Sequence, residues 1–210
     1  HTSSYSVTGV QTCALPISLL TQARLLAEQG RVTLRQESSI QYISLNPEWA
    51  PIAEDRFIGK NPPGLPVLLA AAWRAEGRDA AFFVSPALAS ATLLMLFLLC
   101  RPWVGGGLAL LAALAFAAHP LANQHAVQPD GHGAATFFLV AGLWLLDAWG
   151  RKPAAWRALL AGLALGALPA IRFAEAAAGL GVALFLLLQA VRMTGARRQE
   201  IGRASCRERV

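Results

Sequence analysis

From Ala80 onward the chain is a succession of apolar stretches separated by short charged connectors. Ala80–Cys100 (AAFFVSPALASATLLMLFLLC) carries no charge and as a helix is long enough to cross about 30 Å of hydrocarbon. Four more stretches follow, at Trp103–Ala118, Gly133–Trp149, Trp156–Ile171 and Ala176–Val191. Each is somewhat shorter than the roughly 20 residues of an ideal crossing, so flanking Trp, His and Pro are expected to complete it. None shows a polar face, and consecutive helices without one leave nothing to meet water. The alternative is a set of buried helices in a large soluble protein. The pattern predicts an all-α fold: a polytopic membrane helix bundle of about five transmembrane helices within residues 80–199.

Residues 19–79 read differently, as an outer-face loop with juxtamembrane helices. Gln22–Gln29 predicts a short amphipathic helix closed by Gly30. Arg31–Ser44 alternates weakly (Val32, Leu34; Ile40, Tyr42), enough for an extended stretch but not for a sheet. Pro47, Pro51, Pro62, Pro63 and Pro66 punctuate the rest into turns. Leu65–Trp73 is apolar but too short to span, and is expected to lie at the membrane surface.

Composition changes the picture at the two ends. Val7–Ile17 (VTGVQTCALPI) resembles the translation of a common short-read sequencing adapter, and Glu200–Val210 (EIGRASCRERV) that of its partner. Residues 1–18 and 200–210 are therefore set aside before any fold argument. The natural segment is expected to run from about Leu19 to Gln199, as part of a longer gene product. Cys100 is then the one natural cysteine of three, which leaves no internal disulfide. Removing the three arginines and two glutamates of the second scar takes the net charge from +6 to +5. With 55% hydrophobic and 14% charged residues, and no continuous basic stripe, this charge does not point to a nucleic-acid partner.

Charge instead sets an orientation. Arg101, the pair Arg151 and Lys152, and the group Arg192, Arg197 and Arg198 fall on alternate connectors. The positive-inside rule assigns those connectors to the cytoplasm. His119–His132, Arg172–Glu175 and the segment before Ala80 then lie outside. Small residues in Ala161–Ala167 and Gly179–Gly181 predict close helix packing. Gly105-Gly106-Gly107 lacks the lysine and following Ser/Thr of a phosphate loop.

One order of motifs carries chemistry. Gln22–Gly30, then Gly59-Lys60-Asn61-Pro62-Pro63-Gly64-Leu65-Pro66, then Pro129-Asp130 ahead of an apolar stretch, resembles the first third of a membrane glycosyltransferase. The family is the polyprenyl-phosphate-sugar-dependent type with the GT-C fold, similar to protein mannosyltransferases and the aminoarabinose transferase of lipid A. The resemblance covers nearly all natural residues, on short and degenerate motifs. It implies a bacterial inner-membrane enzyme, with membrane lipids and a lipid-linked sugar donor as partners. A sugar would pass from a lipid phosphate to an acceptor at the outer face. Asp130 would be the second acidic residue of the site. The principal carboxylate would lie upstream of Gln22, and the 210-residue chain is expected to have no transferase activity by itself.

Such a transfer needs a carboxylate to orient or deprotonate the acceptor and positive charge to hold the leaving phosphate. Asp130 supplies the first or merely caps the helix that follows. Lys60 is a candidate for the phosphate, or an interfacial lysine. Arg172, with Glu175 as an i,i+3 partner, is a candidate for phosphate or sugar contact, or a structural ion pair. His125, His132, Glu54 and Asp55 are weaker candidates for a divalent metal. The metal-binding version of the family has a glutamate directly before the lysine, where this chain has Gly59, which leaves a metal cofactor open. A transporter or flippase fragment is the alternative function, with Asp130, Arg172 and Glu175 along a substrate path. A purely structural membrane subunit is the third.

Overall fold

The computed structural model describes residues 7–35, 49–53 and 56–184, with side chains over 18–34, at 50, and over 57–184. The chain divides into two compact units, His1–Phe173 and Ala174–Val210. The described part of the second is helical from residue 176 to residue 184. Residues 185–191 of the stretch read at 176–191, together with Arg192, Arg197, Arg198 and Glu200–Val210, lie outside the described residues, as do His1–Ser6, Glu54 and Asp55.

The first unit opens with α1 (Val7–Gln29), longer than the helix predicted from Gln22. Gly30 ends it in the left-handed region at φ 65°, its N–H bonding Leu26 O at 3.2 Å. The next N–H, of Arg31, bonds Leu25 O at 3.4 Å, and the left-handed conformation that allows this stop is one that only a residue without Cβ adopts at no cost. Arg74, from α2 (Gly64–Glu76), reaches back to the same terminus. Its Nε donates to Ala27 O at 2.9 Å and its Nη2 to Leu26 O at 3.0 Å. Ala27 O, left over at the helix end, is thereby satisfied, Leu26 O gains a second donor beside the Gly30 N–H, and the two helices are clasped together.

A small sheet interrupts the all-α expectation. The strands β1 (Thr33–Arg35), β2 (Trp49–Ala53) and β3 (Arg56–Gly59) pair antiparallel in the order β1-β3-β2. Alternation along β3 turns Phe57 inward, onto Leu25 and Leu34, and leaves Ile58 exposed. Pro51 lies on edge strand β2 beside a register shift, where a missing N–H is tolerated. Strands of three to five residues give too short an alternation to stand out in the sequence.

The first two apolar stretches share one long element, α3 (Arg78–Ala118), so Arg101 is inside a helix and not in a connector. The helix breaks at Gly105, at φ 80° and ψ 168°. Thr92 and Phe116 line one cavity, yet in a straight helix they would be roughly 36 Å apart. The two arms, on either side of Gly105, therefore fold back on one another. Added Cβ atoms at Gly105, Gly106 and Gly107 would meet nothing within 4 Å, as expected at an open tip.

Next come α4 (Pro120–Val127), α5 (Gly131–Arg151) and α6 (Ala155–Ile171). The segment His119–His132 was expected to be a loop, but Pro120 at the first helical position starts α4. α5 and α6 cross with Gly142 so close to Leu165 that a Cβ there would approach its Cγ to 2.6 Å. At the far end Arg157 donates to Ala148 O at 3.0 Å and Lys152 O at 2.8 Å, closing the last turn of α5.

Among the described residues, two helices, Arg78–Ala118 and Gly131–Arg151, are long and apolar enough to cross a membrane. Two shorter apolar helices, Ala155–Ile171 and Phe173–Leu184, accompany them. The chain is thus mostly helical, with two such helices where five separate spans were expected. The most apolar windows of α3 and α5 are only 11% and 28% buried, unlike core helices of a soluble protein. Trp103, Leu108 and Leu111 on α3, and Leu159 and Leu163 on α6, are all exposed, an amount of exposed apolar surface that points to a membrane or protein contact.

Candidate functional site

Asp130 is placed by two elements at once, α4 and α5. Its extended backbone (φ −116°, ψ 161°) makes it the N-cap of α5. Oδ1 accepts from the N–H of His132 at 2.9 Å and of Gly133 at 3.3 Å. Oδ2 takes His125 Nδ1, from the last turn of α4, at 2.5 Å. The carboxylate side chain is 12% exposed and the imidazole 28%. The two histidine rings stack at 4.6 Å and 24°. Gly133 permits this, since a Cβ there would come within 3.0 Å of His125 O.

Arg172 follows the end of α6, its N–H bonded to Leu168 O at 2.8 Å. Its side chain passes over the first residue of α5, where a Cβ on Gly131 would approach Arg172 Cγ to 3.1 Å. The guanidinium-bearing chain and the Asp130 carboxylate thus meet at the same helix start. The start of α2 also docks here: a Cβ on Gly64 would come within 2.6 Å of Ala170 O. Lys60 is exposed, four residues ahead of Gly64, on the segment that joins this docking point to Gly59. Gly59 itself packs against the side chain of Gln22 on α1. Gln22 is 6% exposed, and its buried Nε2 has no hydrogen-bond partner among the described residues. Gly64, Arg172 and Asp130 therefore lie at one end of α5 and α6, while Gly59 is held against α1 and no contact brings Lys60 to Asp130 or Arg172 among the described residues.

Beside them lies a cavity of about 240 Å³ between the two arms of α3, α4 and α5. Ala89, Thr92, Phe116, His119, His125 and Thr136 line it. No family model, no curated protein and no solved structure matches this chain. Its chemistry is therefore argued from the site itself.

The other candidates are placed less centrally. Glu175 closes the 3-10 turn Phe173–Glu175 and belongs to the second unit. Among the described residues no three of His, Cys, Asp and Glu are grouped to hold a metal. His125 and His132 meet face to face, which sets their ring nitrogens in near-parallel planes and not toward a common point. The partnership of His125 with Asp130 was not foreseen. The available signal was Pro120 opening a helix that ends three residues short of a cap position.

Proposed function

We propose that this chain is part of an integral membrane glycosyltransferase that takes its sugar from a polyprenyl-phosphate donor. The observation that carries this reading is the gathering of Asp130, His125, Arg172 and Gly64 at one end of the apolar helices. Acid, imidazole and cation at a membrane face are the groups a transfer from a lipid phosphate requires. Arg172 and Lys60 would meet the phosphate, and Asp130 and His125 the acceptor. Arg151, Lys152 and Arg157 collect at the opposite end of α5 and α6, which by the positive-inside rule turns the Asp130 end outward in a bacterial cytoplasmic membrane. A transporter or flippase would hold its substrate near the midplane. Halfway along the α5–α6 pair, however, stands the apolar contact of Gly142 with Leu165.

The test is lipid binding by the chain in nanodiscs, read by native mass spectrometry. Undecaprenyl phosphate is expected to bind in preference to phosphatidylglycerol. Arg172→Ala is expected to weaken it by about tenfold, the loss of one charge-assisted contact. Lys60→Ala is expected to act in the same direction. Equal affinity for the two lipids, unchanged in both variants, would sink the proposal.

A further inference from the structure

We infer that the cavity between the arms of α3, α4 and α5 is an acceptor site for a hydroxyl group, and that His125 takes its proton. The inference rests on the transferase reading for the fate of that hydroxyl, though not for its binding.

The hydrogen bonds assign the roles. An ionised carboxylate only accepts, so the proton between Asp130 and His125 belongs to Nδ1. A neutral imidazole protonated at Nδ1 leaves Nε2 as a bare acceptor. Among the described residues no group bonds His125 Nε2, and His125 lines the cavity. Asp130 has both oxygens engaged, one by two backbone N–H groups and one by the ring. It is thus a positioning residue, and His125 is the group left to receive a proton.

The cavity walls select the same ligand. Thr92 and Thr136 spend their hydroxyl protons on Leu88 O (2.8 Å) and His132 O (2.9 Å) of their own helices. What they offer inward is lone pairs. Phe116, Ala89 and their neighbours supply apolar surface. Two threonine acceptors and the open His125 Nε2, with His119 able to donate or accept beside them, fit a molecule with an apolar body and a hydroxyl group, which is itself both donor and acceptor. The volume of about 240 Å³ exceeds the roughly 150 Å³ of an apolar cavity that accommodates benzene.

In the transfer, the acceptor oxygen forms a bond to the anomeric carbon while the bond from that carbon to the donor phosphate oxygen breaks. The sugar leaves polyprenyl phosphate behind. The hydroxyl proton passes to His125 Nε2, and the resulting imidazolium faces the Asp130 carboxylate, which stabilises it.

The test uses the full chain labelled with ¹⁵N-histidine in detergent micelles, with benzyl alcohol as the hydroxyl probe and toluene as its counterpart without one. His125 is expected as the Nδ1–H form with an unprotonated Nε2. Asp130→Asn retains the helix cap and is expected to lose that tautomer preference. Benzyl alcohol is expected to shift the His125 Nε2 resonance saturably, toluene not to, and Ala126→Leu, which fills the cavity from α4, to abolish the shift. A proton on Nε2 in the unsubstituted chain, or no saturable shift with benzyl alcohol, overturns the inference. The two proposals fail separately. Undecaprenyl phosphate binding with the reversed tautomer removes the acceptor site alone. The expected tautomer and shift without lipid preference remove the transferase reading alone.

Discussion

The two ends of the α5–α6 pair carry similar charges and use them differently. At one end Asp147 and Arg151 pair across a single turn of α5, with the arginine side chain 43% exposed. At the other, Asp130 bridges α4 and α5, and Arg172 crosses from α6 onto Gly131. The glycines follow the same division. Gly150 faces open space, whereas Gly64, Gly131 and Gly133 each lie against a neighbouring element. An ion pair within one helix anchors and solvates that helix. Groups contributed by three helices to one point are costly to assemble, and such assembly is the mark of a site and not of a surface.

This contrast can be broken in several ways. The largest effect expected is all-or-none. With Cys13, Cys100 and Cys206 replaced by serine, Thr92→Cys and Phe116→Cys should be joined by a short bifunctional reagent, because both residues line one cavity. Failure to cross-link would remove the fold-back at Gly105, and with it the cavity beside Asp130. Next in size, Gly64→Ala should lower stability in thermal unfolding by about 1–3 kcal/mol, since the obstructing atom is backbone. Gly150→Ala, at the other end, should raise it by roughly 0.5–1 kcal/mol, the propensity gain of an open helical position. Similar values for the two would erase the difference between the ends. Asp130→Ala should cost about 1–2 kcal/mol through the lost cap. Asp147→Ala should cost no more than about 0.5 kcal/mol, as exposed i,i+4 pairs do.

What could be read in advance follows from how local the cause is. Gly30 stops α1 by its own backbone conformation, and Asp130 caps α5 with its own side chain. Both were visible from residue type and neighbours alone. The break in α3 was placed at Arg101 and Pro102 because charge and proline look like a connector, but the helix runs on through them to Gly105. A glycine triplet gave the stronger backbone signal. The sheet was not legible, because Leu34, Phe57 and Leu25 meet only when distant segments pair. The site was legible in part. Asp130 and Arg172 stood out by position, but that Arg172 lies across Gly131 depends on how α5 and α6 pack. His125 looked like a polar loop residue until α4 turned it toward Asp130.

The fold-back at Gly105 also sets a length. The return arm, residues 106–118, rises only ~20 Å as a helix, against about 30 Å of hydrocarbon. In a bilayer this shortfall falls on the lipid beside the Gly105–Gly107 tip, which must thin to meet it. Short-chain lipid would meet an arm of this length with less thinning than long-chain lipid.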